Sequence, residues 1–283
     1  VTTDHVVRSQ DGVDLAVRDH GGDALDVLFL HGRSRTLADW PPVLAHLDGI
    51  RAVSMDQRWH GRSGVGGSVS IDALIGDIDS VIAALGLRRP LLVGHSMGGV
   101  IATYYAAMHG GCAGVLNIDG LDTRFLEPSE DDASPRAPVR RRGADHGDMA
   151  WYLEEVALLQ RADDEFGVPP DVIDASIERT FVQDGDGTWH RRPPRAFYEL
   201  GLGADTDRLD VALEKAQCPI VTLLCTGRPK TPSERDAPMS AARDAMLRVL
   251  GPLPYADVRT IDGSHAVIWE KPDEIASIVR SLL

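Results

Sequence analysis

Short apolar runs alternate with longer stretches of helical spacing along most of this chain. Val27 to Leu30, Arg51 to Met55, Pro90 to Val93, Gly114 to Ile118 and Pro219 to Cys225 are apolar with little polar alternation. That pattern predicts strands buried on both faces, as in a parallel sheet. Between them, Asp39 to Leu47, Ile71 to Leu85 and Val100 to Ala107 read as helices. In the second of these, Leu74, Ile75, Ile78, Val81, Ile82 and Leu85 fall on one helical face. Val6 to Ser9 and Val13 to Arg18 flank the turn Gln10-Asp11-Gly12 and predict a hairpin. A helix near Ser240 to Leu250, a strand at Ala256 to Ile261 and a helix at Asp273 to Leu283 close the chain. The alternation predicts an α/β protein with a doubly wound, mostly parallel sheet. Active groups in such sheets collect at the carboxyl ends of the strands.

The alternation breaks after Asp122. Glu127 to Asp148 holds almost no apolar residues, and includes Arg140-Arg141-Arg142. Trp151 to Leu159 and Val172 to Phe181 then read as helices, followed by the turn Asp184-Gly185-Asp186-Gly187. The expectation is a core formed by residues 1–122 and 213–283, with residues 123–212 inserted as a helical cap.

Composition narrows the function. The formal net charge is -14, from 29 Lys and Arg against 43 Asp and Glu. A nucleic-acid partner would need the opposite balance, so none is expected. Cys112, Cys218 and Cys225 are an odd number without zinc-ligand spacing, and read as reduced core thiols. No metal or cofactor is expected. No run of eighteen apolar residues predicts a membrane span, and no basic-then-apolar leader opens the sequence. A cytoplasmic protein acting on a small molecule is the expectation. Nothing in the sequence specifies an oligomeric state.

The chemistry centres on Gly94-His95-Ser96-Met97-Gly98-Gly99, set between a strand and a helix. A Gly-x-Ser-x-Gly in that setting predicts a nucleophile elbow, in which Ser96 is lifted above the sheet edge. A serine needs a base, and His265, in Asp262-Gly263-Ser264-His265 after the last strand, is the candidate. His95 is expected to point away along the elbow, and His60 to be a structural hydrogen-bonder. The acid that orients the imidazole is open among Asp119, Asp122, Glu234 and Asp236, with Asp119 favoured by its place at a strand end beside Gly120. An acid three residues past Gly227 would suit, but Lys230 stands there. The oxyanion donors are expected to be the backbone N–H groups of Met97 and Arg33. The Arg33 side chain points to solvent or, as with Arg35, pairs with an acidic group of the substrate. Trp40 and Trp151 are further candidate substrate contacts.

The motifs His31-Gly32, Asp56-x-Arg58-x-His60-Gly61-x-Ser63, Gly94-His95-Ser96-Met97-Gly98-Gly99 and Gly263-x-His265 together resemble the α/β-hydrolase family. The likeness is to its capped branch of esterases, C–C hydrolases and dehalogenases. The resemblance implies an eight-stranded, mostly parallel sheet with a helical cap and no cofactor. Family members place the acid after the seventh strand or the sixth, and Lys230 departs from the first pattern while Asp119 resembles the second. Dehalogenases and epoxide hydrolases of the family use an aspartate nucleophile, so a serine disfavours both. The expected activity is hydrolysis of an ester, thioester or lactone with a Ser-His-Asp triad. The alternatives are hydrolysis of a carbon–carbon bond, or non-hydrolytic acyl transfer, cyclisation or lyase chemistry on the same fold.

Overall fold

A computed structural model describes residues 2–121, 144–200, 213, 216, 218–227, 243–244 and 246–283. A hairpin of β1 (Thr3–Arg8) and β2 (Asp14–Gly21) leads into β3 (Leu25–Leu30), the short helix α1 (Pro41–Leu44) and β4 (Ile50–Met55). Then come α2 (Ile71–Leu85), β5 (Leu91–His95), α3 (Met97–Met108) and β6 (Gly114–Ile118). An inserted segment follows, with β7 (His146–Gly147), α4 (Met149–Phe166), α5 (Pro170–Thr180), β8 (Phe181–Gln183), β9 (Trp189–Arg191) and α6 (Arg195–Leu200). The core resumes with β10 (Ile220–Cys225) and β11 (Ala256–Ile261), and ends with α7 (Val267–Glu270) and α8 (Pro272–Ser281).

Eight strands form one sheet in the order β1-β2-β4-β3-β5-β6-β10-β11. Both pairings of β2, to β1 and to β4, are antiparallel, and all others are parallel. The reason for the unbroken apolar runs is visible in β3. Leu28 and Leu30 face a cluster built with α2 and α3, while Val27 and Phe29 face a second cluster built with α1, α7 and α8. Both sheet faces are covered, so neither set of alternate residues can be polar. Helix α2 starts where Ser70 accepts a hydrogen bond from the Ala73 N–H, and stops at Gly86 in the left-handed region, φ 61°.

The insertion differs from the expected helical cap. Beside α4 and α5 it contains an antiparallel sheet ordered β7-β9-β8. The turn at Asp184 to Gly187 joins two three-residue strands, with Asp186 accepting from the Thr188 N–H and Gly187 at φ 90°. Leu159, Val172, Ile173, Ile177 and Phe181 give the insertion its own apolar cluster. Among the described residues, no helix is long and apolar enough to cross a membrane. The three cysteines are free and buried, and Cys112 Sγ lies 3.4 Å from Cys218 Sγ.

Two buried arginine clusters hold the insertion to the core. Arg179 of α5 donates to Asp56 Oδ2 from Nε at 3.0 Å and from its terminal nitrogen at 2.6 Å. Arg35 donates to Asp39 and to Asp163 of α4, the shortest contacts being 2.8 and 2.7 Å. Breaking such a pair leaves its partner charged and dry. Arg179→Leu is therefore expected to lower the urea-unfolding free energy by about 3 to 5 kcal/mol. An unchanged midpoint would show that Asp56 is held adequately by the N–H groups of Leu37 and Arg62, which it also accepts.

Candidate active site

The carboxyl end of β5 turns sharply into α3 at Ser96, whose backbone sits at φ 53°, ψ −119°. A serine pays for that conformation only when its surroundings enforce it. The enforcement comes from Gly94 and Gly98. A Cβ on Gly94 would lie 2.3 Å from the Gly98 carbonyl carbon, and one on Gly98 would lie 2.2 Å from the Leu30 carbonyl oxygen. Close packing of β5, α3 and the end of β3 thus requires both glycines. The Ser96 N–H is tied to the Ile118 carbonyl at 2.8 Å, which anchors the turn to β6.

The end of β3 comes against the same point. A Cβ on Gly32 would sit 3.3 Å from Ser96 Cβ, so the chain entering Arg33 passes directly beside the elbow. Met97 opens α3, where helix N–H groups have no intrahelical partner. Arg33 is exposed. His31 supports this loop from below: its Nδ1 donates to the Gly32 carbonyl at 2.7 Å while Nε2 accepts from the Gln57 N–H at 3.0 Å. His60 is fully buried and bonds the Arg58 carbonyl through Nδ1 at 3.0 Å. Burial pushes both rings down to about 3, so both are neutral at pH 7.

Asp119 follows β6 with its side chain fully buried. Its Oδ2 lies 2.8 Å from His265 Nδ1, and its Oδ1 accepts the Cys225 N–H at 3.0 Å. Arg243 Nε stands 3.9 Å from Oδ1. Burial alone would raise this carboxyl, but the His265 hydrogen bond and charge, the Cys225 amide and Arg243 outweigh it. The group therefore titrates below the ordinary carboxylate value and is ionised at neutral pH. The His265 ring, 40% exposed, sits in a loop clamped by Glu270, which accepts from the Ser264 N–H and hydroxyl at 2.8 and 2.6 Å.

Several expected residues stand elsewhere. His95 does not point away from the site: Nε2 donates to the His265 carbonyl at 2.8 Å. Arg35 was a candidate for a substrate acid, but Asp39 and Asp163 occupy its guanidinium, which also lies 4.6 Å over the Trp269 ring. Trp40 is fully buried against Phe29, a core residue with no exposed surface for substrate. Trp151 packs in the insertion, edge-on to Phe181 at 6.2 Å. Asp122, Lys230, Glu234 and Asp236 lie outside the described residues. Trp269, Tyr198, whose hydroxyl bonds Ser34, and Arg243 were not singled out from sequence. Only Trp269, four positions past His265, carried a usable signal.

Residues 27–278 match the model of the alpha/beta hydrolase family. The chain belongs to this family. A non-heme haloperoxidase of Rhodococcus erythropolis is 37% identical over 107 residues, 37% of this chain and 39% of the relative. A bifunctional esterase/perhydrolase of Acinetobacter calcoaceticus is 36% identical, also over 107 residues, 36% of this chain and 39% of the relative. The chain thus aligns with only about two-fifths of the length of these relatives. Lipase LipV of Mycobacterium tuberculosis aligns over 96% of this chain and 98% of its own length at 26% identity. Among solved structures, an E-2-(acetamidomethylene)succinate hydrolase shares the fold with TM-score 0.70 and 21% identity, over 100% of this chain and 99% of the other.

Proposed function

We propose that this α/β hydrolase cleaves an ester, thioester or lactone of a small molecule through an acyl-enzyme on Ser96. His265 Nε2 takes the Ser96 proton as the hydroxyl attacks the carbonyl carbon. The oxyanion that forms accepts hydrogen bonds from the N–H groups of Met97 and Arg33. The leaving oxygen or sulfur departs with the proton from His265. Water then attacks the acyl-enzyme with His265 again as base, and Ser96 is restored. Asp119 keeps the Nδ1 proton in place and stabilises the imidazolium.

The observation that carries this reading is the 2.8 Å bond from His265 Nδ1 to a buried, ionised Asp119, beside a serine held at φ 53°. It leaves Nε2 as the nitrogen available to the nucleophile. Esterase, lipase and thioesterase names among the relatives and neighbours support acyl chemistry for this chain. The insertion, here read as a cap, would set substrate choice through residues over the elbow.

The test is covalent. A fluorophosphonate is expected to add one equivalent to the parent protein at Ser96, located by peptide mass spectrometry, and none to Ser96→Ala. Hydrolysis of a p-nitrophenyl ester in ¹⁸O-water should place one label in the released acid. Failure of the parent to label or turn over would remove the serine-hydrolase reading. Labelling with product that lacks ¹⁸O would move it to acyl transfer or cyclisation.

A further inference from the structure

The residue before the nucleophile has no role in the chemistry above, yet it touches the base. His95 ends β5, paired with Ile118 of β6, and is 2% exposed. Its Nε2 lies 2.8 Å from the His265 carbonyl. A carbonyl only accepts, so Nε2 carries the proton and donates it. The two imidazoles face each other at 4.8 Å with 39° between planes, and Trp269 sets its ring 6.0 Å from His95.

His265 needs such a hold. Its loop contains Gly263, and its ring is partly exposed. Asp119 holds one nitrogen through a single hydrogen bond, which movement of the loop can lengthen or break. Glu270 grips Ser264, one residue away from the imidazole. Among the described residues, only His95 binds the backbone of His265 and packs against its ring as well. It does so from the end of β5, an interior strand of the sheet, paired on both sides.

We propose that His95 is a positioning residue, which pins the backbone and ring of His265 so that Nε2 is held toward Ser96. The kinetic part of this assignment rests on the serine-hydrolase reading. Charge is consistent with it. Burial first, and His265 next, push His95 down to about 3, with Arg35 acting the same way and Asp119 and the His265 carbonyl opposing. His95 thus stays a neutral donor while its neighbour gains and loses a proton. A second cation 4.8 Å away would oppose that cycle.

Two substitutions separate the donor from the ring. His95→Phe keeps an aromatic face but has no N–H, whereas His95→Gln supplies an amide N–H that can reach the same carbonyl. With p-nitrophenyl butyrate, His95→Phe is expected to lose about 10- to 100-fold in kcat with little change in KM, because a misplaced base costs the chemical step. His95→Gln should recover most of that loss. A second readout needs no turnover: the low-field proton resonance of His265 Nδ1–H, assigned by its absence in His265→Gln. It should be present in the parent and His95→Gln, and broadened or lost in His95→Phe. An undisturbed resonance in a folded His95→Phe overturns the assignment, as does a His95→Gln variant as impaired as His95→Phe. A parent without Ser96-dependent turnover removes the hydrolase reading instead, and the resonance still decides the role of His95.

Discussion

Asp119→Asn is expected to lower kcat on a short p-nitrophenyl ester by about 10⁴-fold while the protein stays folded. The local hydrogen bonds give the reason. Oδ1 of Asp119 accepts the Cys225 N–H at 3.0 Å, and Oδ2 faces His265 Nδ1 at 2.8 Å. An asparagine must keep its oxygen toward the Cys225 amide, since two N–H groups cannot face each other. Its own NH₂ then points at His265 Nδ1, which must become an acceptor. The imidazole proton moves to Nε2, the nitrogen that takes the Ser96 proton in the proposed mechanism. The variant would have its base in place with the wrong tautomer. Glu234→Gln and Asp236→Asn are the comparators, with initial rates measured on all three. Asp119→Asn retaining more than a tenth of the parent kcat would move the acid to another carboxylate.

The fold was readable because a sheet covered on both faces leaves a plain mark. The strands at Gly114–Ile118 and Ala256–Ile261 and the helix at Ile71–Leu85 begin and end where the pattern puts them. The elbow was readable for a local reason too: two glycines and a helix start fall within six residues. The acid was not. Asp119 meets His265 across 146 residues, through the pairing of β6 with β10 and of β10 with β11, and no short-range pattern encodes that. Arg35 and Trp40 were misread because they follow the Gly32 turn closely in sequence. Asp39 and Asp163 claim the first, and the packing around Phe29 claims the second. The strands of the insertion were missed because three residues are too few for an alternation to stand out. His95 was misdirected because its partner lies 170 residues away.

Acid should unfold this protein well before its carboxylates are neutralised. His31, His60 and His95 are buried and neutral, each pushed from an ordinary value of 6.5 down to about 3 by loss of hydration. In the unfolded chain the same rings titrate at the ordinary value. Between about pH 3 and 6.5 the unfolded state therefore binds more protons, and stability rises with pH. The contribution is complete above pH 6.5 and is lost as pH falls through that window. From pH 7 to pH 5 the loss is about 2 kcal/mol per ring, hence about 6 kcal/mol for three. That is comparable with the whole stability of an ordinary domain, about 5 to 15 kcal/mol. The lowered value of Asp119 acts in the same direction, in the more acidic part of the range. Urea-unfolding midpoints at pH 7, 6 and 5 measure the effect, and a midpoint unchanged at pH 5 would contradict it. The same rings explain how activity should fail. Protonating His31 on Nε2 breaks its bond from the Gln57 N–H, and protonating His95 on Nδ1 buries a charge at an atom with no partner. Activity lost in that way should decay over time at pH 5, in step with unfolding.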